Sequence, residues 1–423
     1  MNKTLILIAV AALLPGCGLY TRYSRPEDID TSGLYRDIEV SDTTTMASVG
    51  WREFFRDTCL TALIDSALTN NLDVRVAGHR IEAAEAVLKT SRLTYLPALT
   101  FSAEAGVSSV SGNGTKTFAL TPSASWDIDL FGKRTNAKRA ARAEFEGTVA
   151  YEQSVKTDVI ADVAAAYYTL LMLDAQIDMN SRSLETWMET ERVLEALKRA
   201  RKSDESAVLQ ARASRLAVEG ANVSLLQSVR ETENGLSILL GEAPRGIDRL
   251  SLDIQSFPDT VCAGIPLRLL SSRPDVRQAE AALAQSFYNV NAARASFYPS
   301  ITLSGSAGWT NNAGGVILNP ATWLTNALAS LTQPLFMHGA NVAALKQAKA
   351  AYEESLAVFS KTLLQAGKEV NDALTGWQAA GLRIDLDIKQ VEALTEAVRK
   401  TDLLMRHSSA SYLDIIAKTK CVV

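Results

Sequence analysis

Apolar and small polar residues alternate strictly after Pro97 and again after Pro299. In the first stretch Leu99, Phe101, Ala103, Ala105 and Val107 fall on one side of an extended chain. Thr100, Ser102, Glu104 and Gly106 fall on the other, the period of two that marks a strand with unlike faces. In the second stretch Ile301, Leu303, Gly305, Ala307 and Trp309 oppose Thr302, Ser304, Ser306 and Gly308. Turn chemistry follows each, at Ser109 to Thr115 and at Asn311 to Gly315. A returning strand is then predicted from Phe118 to Leu130 in the first case and over about Trp323 to Gln333 in the second.

Helical patterns flank both strand pairs. One covers Asp57 to Arg92 and closes before Pro97, because Pro disfavours helix in the residue ahead of it. A much longer one runs from Thr135 to Arg201, on the order of 100 Å at ~1.5 Å per residue. Another follows from Asp204 to Leu240 and breaks at Gly241, and a second long helix begins near Ala340. Val159, Val163, Ala166, Leu170, Leu173 and Ile177 keep a 4-3-4-3-4 spacing, as do Ala366, Val370, Ala373, Trp377, Ala380 and Ile384. Both read as heptad seams whose small residues allow close helix approach.

The order of elements is therefore written twice. "LDVRVAGHRIEAAEAVL" from Leu72 faces "PDVRQAEAALAQSFYNV" from Pro274, and Pro97 faces Pro299, both 202 residues on. "WDIDLFGKR" from Trp126 faces "LTQPLFMHG" from Leu331 at 205, and Asp162 faces Glu369 at 207. Such a period is far longer than that of a solenoid. Two copies of one half-domain are expected side by side, with the first repeat at 56–241, an inter-repeat linker at 242–272 and the second repeat at 273–423.

Backbone groups in lipid must pair internally, so a spanning sheet must close into a barrel. The strands are long enough to cross, and Trp126, Trp309 and Trp323 fit an aromatic belt. Four strands cannot close a barrel, whereas three chains would supply twelve, so a cyclic homotrimer is expected. A soluble amphipathic hairpin over a helical core is the plainer alternative for the strands, and a coiled-coil dimer for the helices.

The N-terminus adds an address. Lys3 precedes an apolar run from Leu5 to Leu14, too short to span a bilayer as a helix, and residues 1–16 read as a signal peptide. Leu14, Gly16 and Cys17 resemble a bacterial lipobox, from which Pro15 departs. Cys17 would then be the lipidated first residue of a mature chain whose segment 17–55 is extended. Gly18 rather than Asp follows it, which points to delivery to the outer membrane.

Composition removes other classes. A net charge of −4 without a basic cluster argues against nucleic acid as a partner. His79, His338 and His407 have no metal-ligand spacing, the four cysteines (Cys17, Cys59, Cys262 and Cys421) fit neither a zinc site nor a disulfide framework, and no Walker, G-x-S-x-G or H-E-x-x-H motif occurs. Met172, Met179, Met188 and Met405 read as packing on helices. No enzyme, metal or cofactor is expected.

The stretches "GCGLYTRYSRP", "GWREFFRDTCLTALIDSALTNNLDVRVA", "SWDIDLFGKR", "SSRPDVRQAEAALAQ", "ARASFYPSITLSG", "PLFMHGANVAALKQAKAAYEES" and "SSASYLDII" together resemble the TolC-type outer-membrane factors, in the lipoprotein branch serving RND efflux pumps. The resemblance implies a mostly α fold with a transmembrane β-barrel: a trimer with twelve strands in the outer membrane above a periplasmic α-barrel. It implies a passive conduit for drugs, metal ions or other small molecules, working with a periplasmic adaptor and an inner-membrane RND pump. An exit duct for type I protein secretion and a non-transporting helical scaffold are the alternatives. Within "YLDII" the resemblance assigns Asp414 to the periplasmic aperture, while Ala417 stands where some relatives carry a further Asp. At the 207 offset Val423 corresponds to Leu216, so the second repeat is expected to lack most of a final helix and to leave one apolar seam uncovered, with weak or absent efflux as the result.

Overall fold

The structure is a computed structural model and describes residues 21–26, 49–110, 113–255, 272–310 and 323–406. Cys17, the linker residues 256–271, the turn at 311–315, Asp414 and the chain end at 407–423 lie outside the described residues.

Among the described residues eleven α-helices and β-strands follow the predicted order, except that a helical turn at Trp51–Phe54 falls in the segment expected to be extended. They are α1 (Trp51–Phe54), α2 (Thr58–Asn70), α3 (Leu72–Leu93), β1 (Ala98–Val110), β2 (Asn113–Ile128), α4 (Lys133–Arg199), α5 (Glu205–Leu239), α6 (Pro274–Ala295), β3 (Ser300–Thr310), β4 (Trp323–Thr332) and α7 (Ala340–Arg406). Helices α4 and α7 have the same length, 67 residues. Both strands of the first hairpin run into the stretch read as a turn, with Val110 paired to Asn113.

The single helix expected over Asp57 to Arg92 is two. Asn71 leaves helical geometry at ψ 132°, ending α2, and its Oδ1 accepts from the backbone N–H groups of Asp73 and Val74 at the start of α3. Its amide donates to the Leu239 carbonyl at 2.9 Å. Asn is favoured at an N-cap for this reason, and the dipeptide of polar residues before Leu72 carried the signal.

The chain forms two compact units, each drawing on both repeats. The first contains residues 77–153 and 271–365, and with them the sheet. Its four strands are antiparallel in the order β1-β2-β3-β4, so β1 and β4 are both edges. The second contains residues 154–270 with 31–76 and 366–423. Its core joins Leu60, Ile64 and Ala67 of α2 to Val159, Val163, Tyr167, Leu170 and Leu173 of α4 and to Leu236 and Leu240 at the end of α5. The first heptad seam is thus buried. The second is not: beyond Ala366, the residues Ala373, Trp377, Ala380 and Ile384 are exposed, and Leu374 is buried in their place.

The repeat offset also needs correction. Residues read as equivalent at 205 are equivalent at 207. Ala98 pairs with Ser125 and Ser300 with Thr332. The Trp126 indole donates to the Tyr95 carbonyl at 2.9 Å, and the Gln333 amide does the same to Phe297 at 3.1 Å. Gly132 and Gly339 share a positive φ ahead of the long helices. The "LF" shared by the two stretches drew the sequence match two residues off.

Candidate functional site

The sheet is the element whose two faces differ in chemistry. Register places Leu99, Ala124, Gly305 and Ala327 in one row, and Trp126, Leu303 and Ala329 in another, all on the apolar face. The opposite face carries Thr100, Ser123, Ser306 and Asn326 in one row and Asp127, Thr302 and Ser330 in another. Side chains on that face bond to one another: Thr100 Oγ1 lies 2.7 Å from Ser123 Oγ, and the Thr302 hydroxyl donates to the carboxylate oxygen Asp127 Oδ1 at 2.7 Å. Leu328 interrupts this polar face. Trp126 lies in β2, while Trp309 and Trp323 pair with each other across β3 and β4, at one level of the sheet.

The foot of the sheet is tied to the helices by side chains that the repeat pattern did not reveal. Asp129 accepts from the backbone N–H groups of Arg134 and Thr135 and from the Thr135 hydroxyl, fixing the start of α4. Arg134 bridges the Asp127 carboxylate and the Thr94 carbonyl. Asn341 donates to the Ser296 carbonyl at the equivalent place in the second repeat. Phe131 is buried, stacked 4.9 Å from Tyr298 and packed on Ala295.

Residues 21–26 lie along this same unit. The Arg139 guanidinium donates to the Thr21 carbonyl, the Tyr23 backbone N–H donates to the Tyr288 hydroxyl, and Arg25 makes a two-pronged ion pair with Glu280. The Tyr23 ring meets Phe287 edge-on at 5.9 Å. Sequence reading missed these anchors, since Tyr and Arg in a polar segment give no pattern.

In the second unit a buried carboxylate clasps three segments. Asp57 caps α2, accepting from Cys59 and Leu60 N–H groups, and its other oxygen accepts from the Tyr167 hydroxyl of α4 and the Gln255 amide, both at 2.7 Å. Burial pushes this carboxyl up, but the four donors outweigh it and hold it below its ordinary value. Nearby, Arg249 spans Asp174 of α4 and Glu233 of α5, which with burial opposing holds the guanidinium above its ordinary value. Among the described residues no group of His, Cys, Asp or Glu has the geometry of a metal site.

The comparisons agree with one another. The model of the outer membrane efflux protein family matches residues 63–242 and 265–415. Cation efflux system protein CusC of Escherichia coli K12 is 27% identical over 428 residues, spanning 97% of this chain and 92% of the relative. The probable efflux pump outer membrane protein TtgC of Pseudomonas putida is 31% identical over 396 residues, 88% of this chain and 80% of the relative. Among solved structures, the open state of the MtrE outer membrane channel of Neisseria gonorrhoeae superimposes with a TM-score of 0.84 at 27% identity, over 95% of this chain and 91% of that one. With its sheet of unlike faces, its paired 67-residue helices and these matches along most of its length, the chain belongs to the outer membrane efflux protein family.

Proposed function

We propose that three copies of this chain form the outer-membrane channel of a tripartite efflux pump. The observation that carries the reading is the sheet: four strands with one apolar and one largely hydroxyl-lined face, whose edges β1 and β4 have no further strand beside them among the described residues. In lipid an open edge leaves unpaired backbone groups at a cost of several kcal/mol each, so the sheet must close with other copies. Three copies reach twelve strands, enough for a water-filled bore lined by the Thr, Ser and Asn rows.

The lining is mainly hydroxyls and amides, as at Thr100, Ser123, Ser306 and Asn326, with Glu104 and Asp127 as carboxylates on the same face, a surface that suits passage of water and small solutes. The named cargoes of the relatives, cations for CusC and toluene for another TtgC, fit a wide passive duct, and small molecules or ions are the cargo proposed here. The subunit does no catalysis in this reading.

A lipid anchor at Cys17 is supported by geometry. Four residues of extended chain reach about 14 Å, so Cys17 lies within that distance of Thr21. Thr21 is held by Arg139, about 9 Å along α4 from its start below the strands. A diacylated residue there would sit beside the foot of the sheet, on its periplasmic side.

The test is conductance of the full chain in planar bilayers together with its mass in detergent. A trimer with ohmic, cation-permeable conductance is expected. Asp414, proposed as a ring of three carboxylates at the periplasmic aperture, should restrict it, and Asp414→Ala should raise single-channel conductance severalfold. A monomer without conductance would sink the channel reading, and unchanged conductance in the variant would sink the aperture role.

A further inference from the structure

Below the sheet, the starts of α4 and α7 share one basic stripe. Segment 130–143 holds five cations and no carboxylate. Its counterpart at the 207 offset, segment 337–350, holds Lys346 and Lys349 and again no carboxylate. Lys133, Arg134 and Lys138 become Ala340, Asn341 and Leu345 in the second repeat. Arg139 and Arg142 alone keep their charge, as Lys346 and Lys349. Residues three apart on a helix share a face, so one stripe stays basic in both repeats while the charges around it are lost. All these positions belong to the first unit.

In the first repeat the stripe borders the foot of the apolar face. Trp126, on that face, donates to the Tyr95 carbonyl at 2.9 Å. The Tyr95 hydroxyl lies 3.0 Å from Thr135 Oγ1, and the Lys138 ammonium stands 4.8 Å from the centre of the Tyr95 ring. Arg139 lies over the Tyr288 ring at 5.8 Å and donates to the Thr21 carbonyl. Leu93 and Leu96, either side of Tyr95 in sequence, and Leu130 are exposed. Exposed apolar side chains, then Trp and Tyr, then Lys and Arg: this is the order of chemistry met on leaving a bilayer.

Depth agrees with that order. The headgroup layer is about 5–8 Å thick on each side of the hydrocarbon. Arg139 lies about 9 Å along α4 from its start, and helix side chains lean toward the N-terminus, here toward the sheet. Arg142 pairs with Glu146, but both are mostly exposed, and solvent keeps such a pair weak enough to yield to a phosphate.

We propose that Arg139 and Arg142, and Lys346 and Lys349 in the second repeat, bind the headgroup phosphate of anionic phospholipid in the periplasmic leaflet of the outer membrane. The proposal rests on the membrane placement of the sheet and is independent of copy number and cargo. Binding there would hold the foot of the sheet at a fixed depth in the bilayer.

Native mass spectrometry of the full chain in detergent, titrated with phosphatidylglycerol or with phosphatidylcholine, tests it. The unsubstituted chain should prefer phosphatidylglycerol by about tenfold or more. Arg139→Gln, Arg142→Gln, Lys346→Gln and Lys349→Gln together should abolish the preference and leave phosphatidylcholine binding unchanged. Arg139→Lys, Arg142→Lys, Lys346→Arg and Lys349→Arg together should keep it. So should Arg182→Gln, Arg192→Gln, Arg199→Gln and Arg383→Gln, which remove the same number of exposed cations elsewhere on α4 and α7. Equal retention of the two lipids by the unsubstituted chain, or a preference that survives the fourfold neutralisation at the foot, overturns the site. An equal loss in the distant fourfold variant overturns it in favour of bulk charge. Release of phosphatidylglycerol by inorganic phosphate at constant ionic strength overturns the lipid in favour of a free anion. If the neutralised variant does not fold, the unsubstituted chain in rising sodium chloride decides: a preference that salt leaves unchanged overturns the site. Failure to retain either lipid would overturn the membrane placement of the sheet as well.

Discussion

Helices α4 and α7 are the same helix written twice, and they end in opposite circumstances. Both run 67 residues and both carry the same 4-3-4-3-4 seam. In α4 that seam is buried: Val163 and Leu170 are fully enclosed by α2 and by the end of α5. In α7 Trp377, the counterpart of Leu170, and Ile384, the counterpart of Ile177, are exposed, and Leu382, Leu386, Ile388 and Val391 with them. A heptad pattern therefore states what a helix offers, not what it receives. The period comes from the sequence of one helix, whereas burial needs a second element across the seam. Helix α5 returns along α4, and among the described residues nothing returns along α7.

The largest expected effect tests that contrast directly. Leu170→Ala should destabilise the chain by about 2–5 kcal/mol, the cost of a cavity in a closed core. Ile384→Ala, a deletion of similar size two seam positions further on in the other copy, should change stability by less than about 0.5 kcal/mol. Thermal melts of the two variants in detergent measure both. A cost at Ile384 as large as that at Leu170 would mean that another chain covers the second seam in the assembly.

A smaller effect probes how the first seam is closed. Gly241 follows α5 with φ +70°, and a Cβ there would lie 2.6 Å from the Asn70 carbonyl oxygen at the end of α2. The strained backbone and the collision together predict a loss of about 1–3 kcal/mol for Gly241→Ala. Chemical denaturation would read it. A neutral outcome would show that the two helix ends move apart freely, and that the closed seam is looser than its burial implies.

The smallest effect depends on pH. Asp57 is held below its ordinary value by Tyr167, Gln255 and two backbone donors, so its folded form favours the carboxylate. Its contribution is present above the ordinary carboxylate range near ~4 and is lost as pH falls through the lower folded value. Asp57→Asn should thus remove stability at pH 7, by about 1 kcal/mol, and flatten the acid limb of the stability curve below pH ~4. An unchanged acid limb would show that the clasp does not depend on the charge.

What was legible in the sequence follows physical lines. Alternation at Leu99–Val107 and Ile301–Trp309 revealed both hairpins, because one face of each strand differs in chemistry from the other. The break at Asn71 was overlooked, since apolar periodicity continues across it while a side chain takes over the backbone bonds. At the returning strands the offset was read as 205 rather than 207 because Trp126 and Gln333 do the same work with unlike groups, an indole and an amide. The clasp at Asp57 joins residues 110 and 198 positions apart, a separation that no local pattern encodes. Cys17 and Asp414 rest on resemblance, and they lie outside the described residues.

The open edges of the sheet also have a genetic consequence. A strand edge that is completed only by another copy makes each chain hostage to its neighbours. In the proposed ring of three, a cell making equal amounts of sound and edge-defective chains would assemble only about one ring in eight from sound chains alone. Lesions at β1 or β4 should therefore behave as dominant when both alleles are expressed. Lesions that prevent a chain from folding at all should behave as recessive, because such chains never enter a ring.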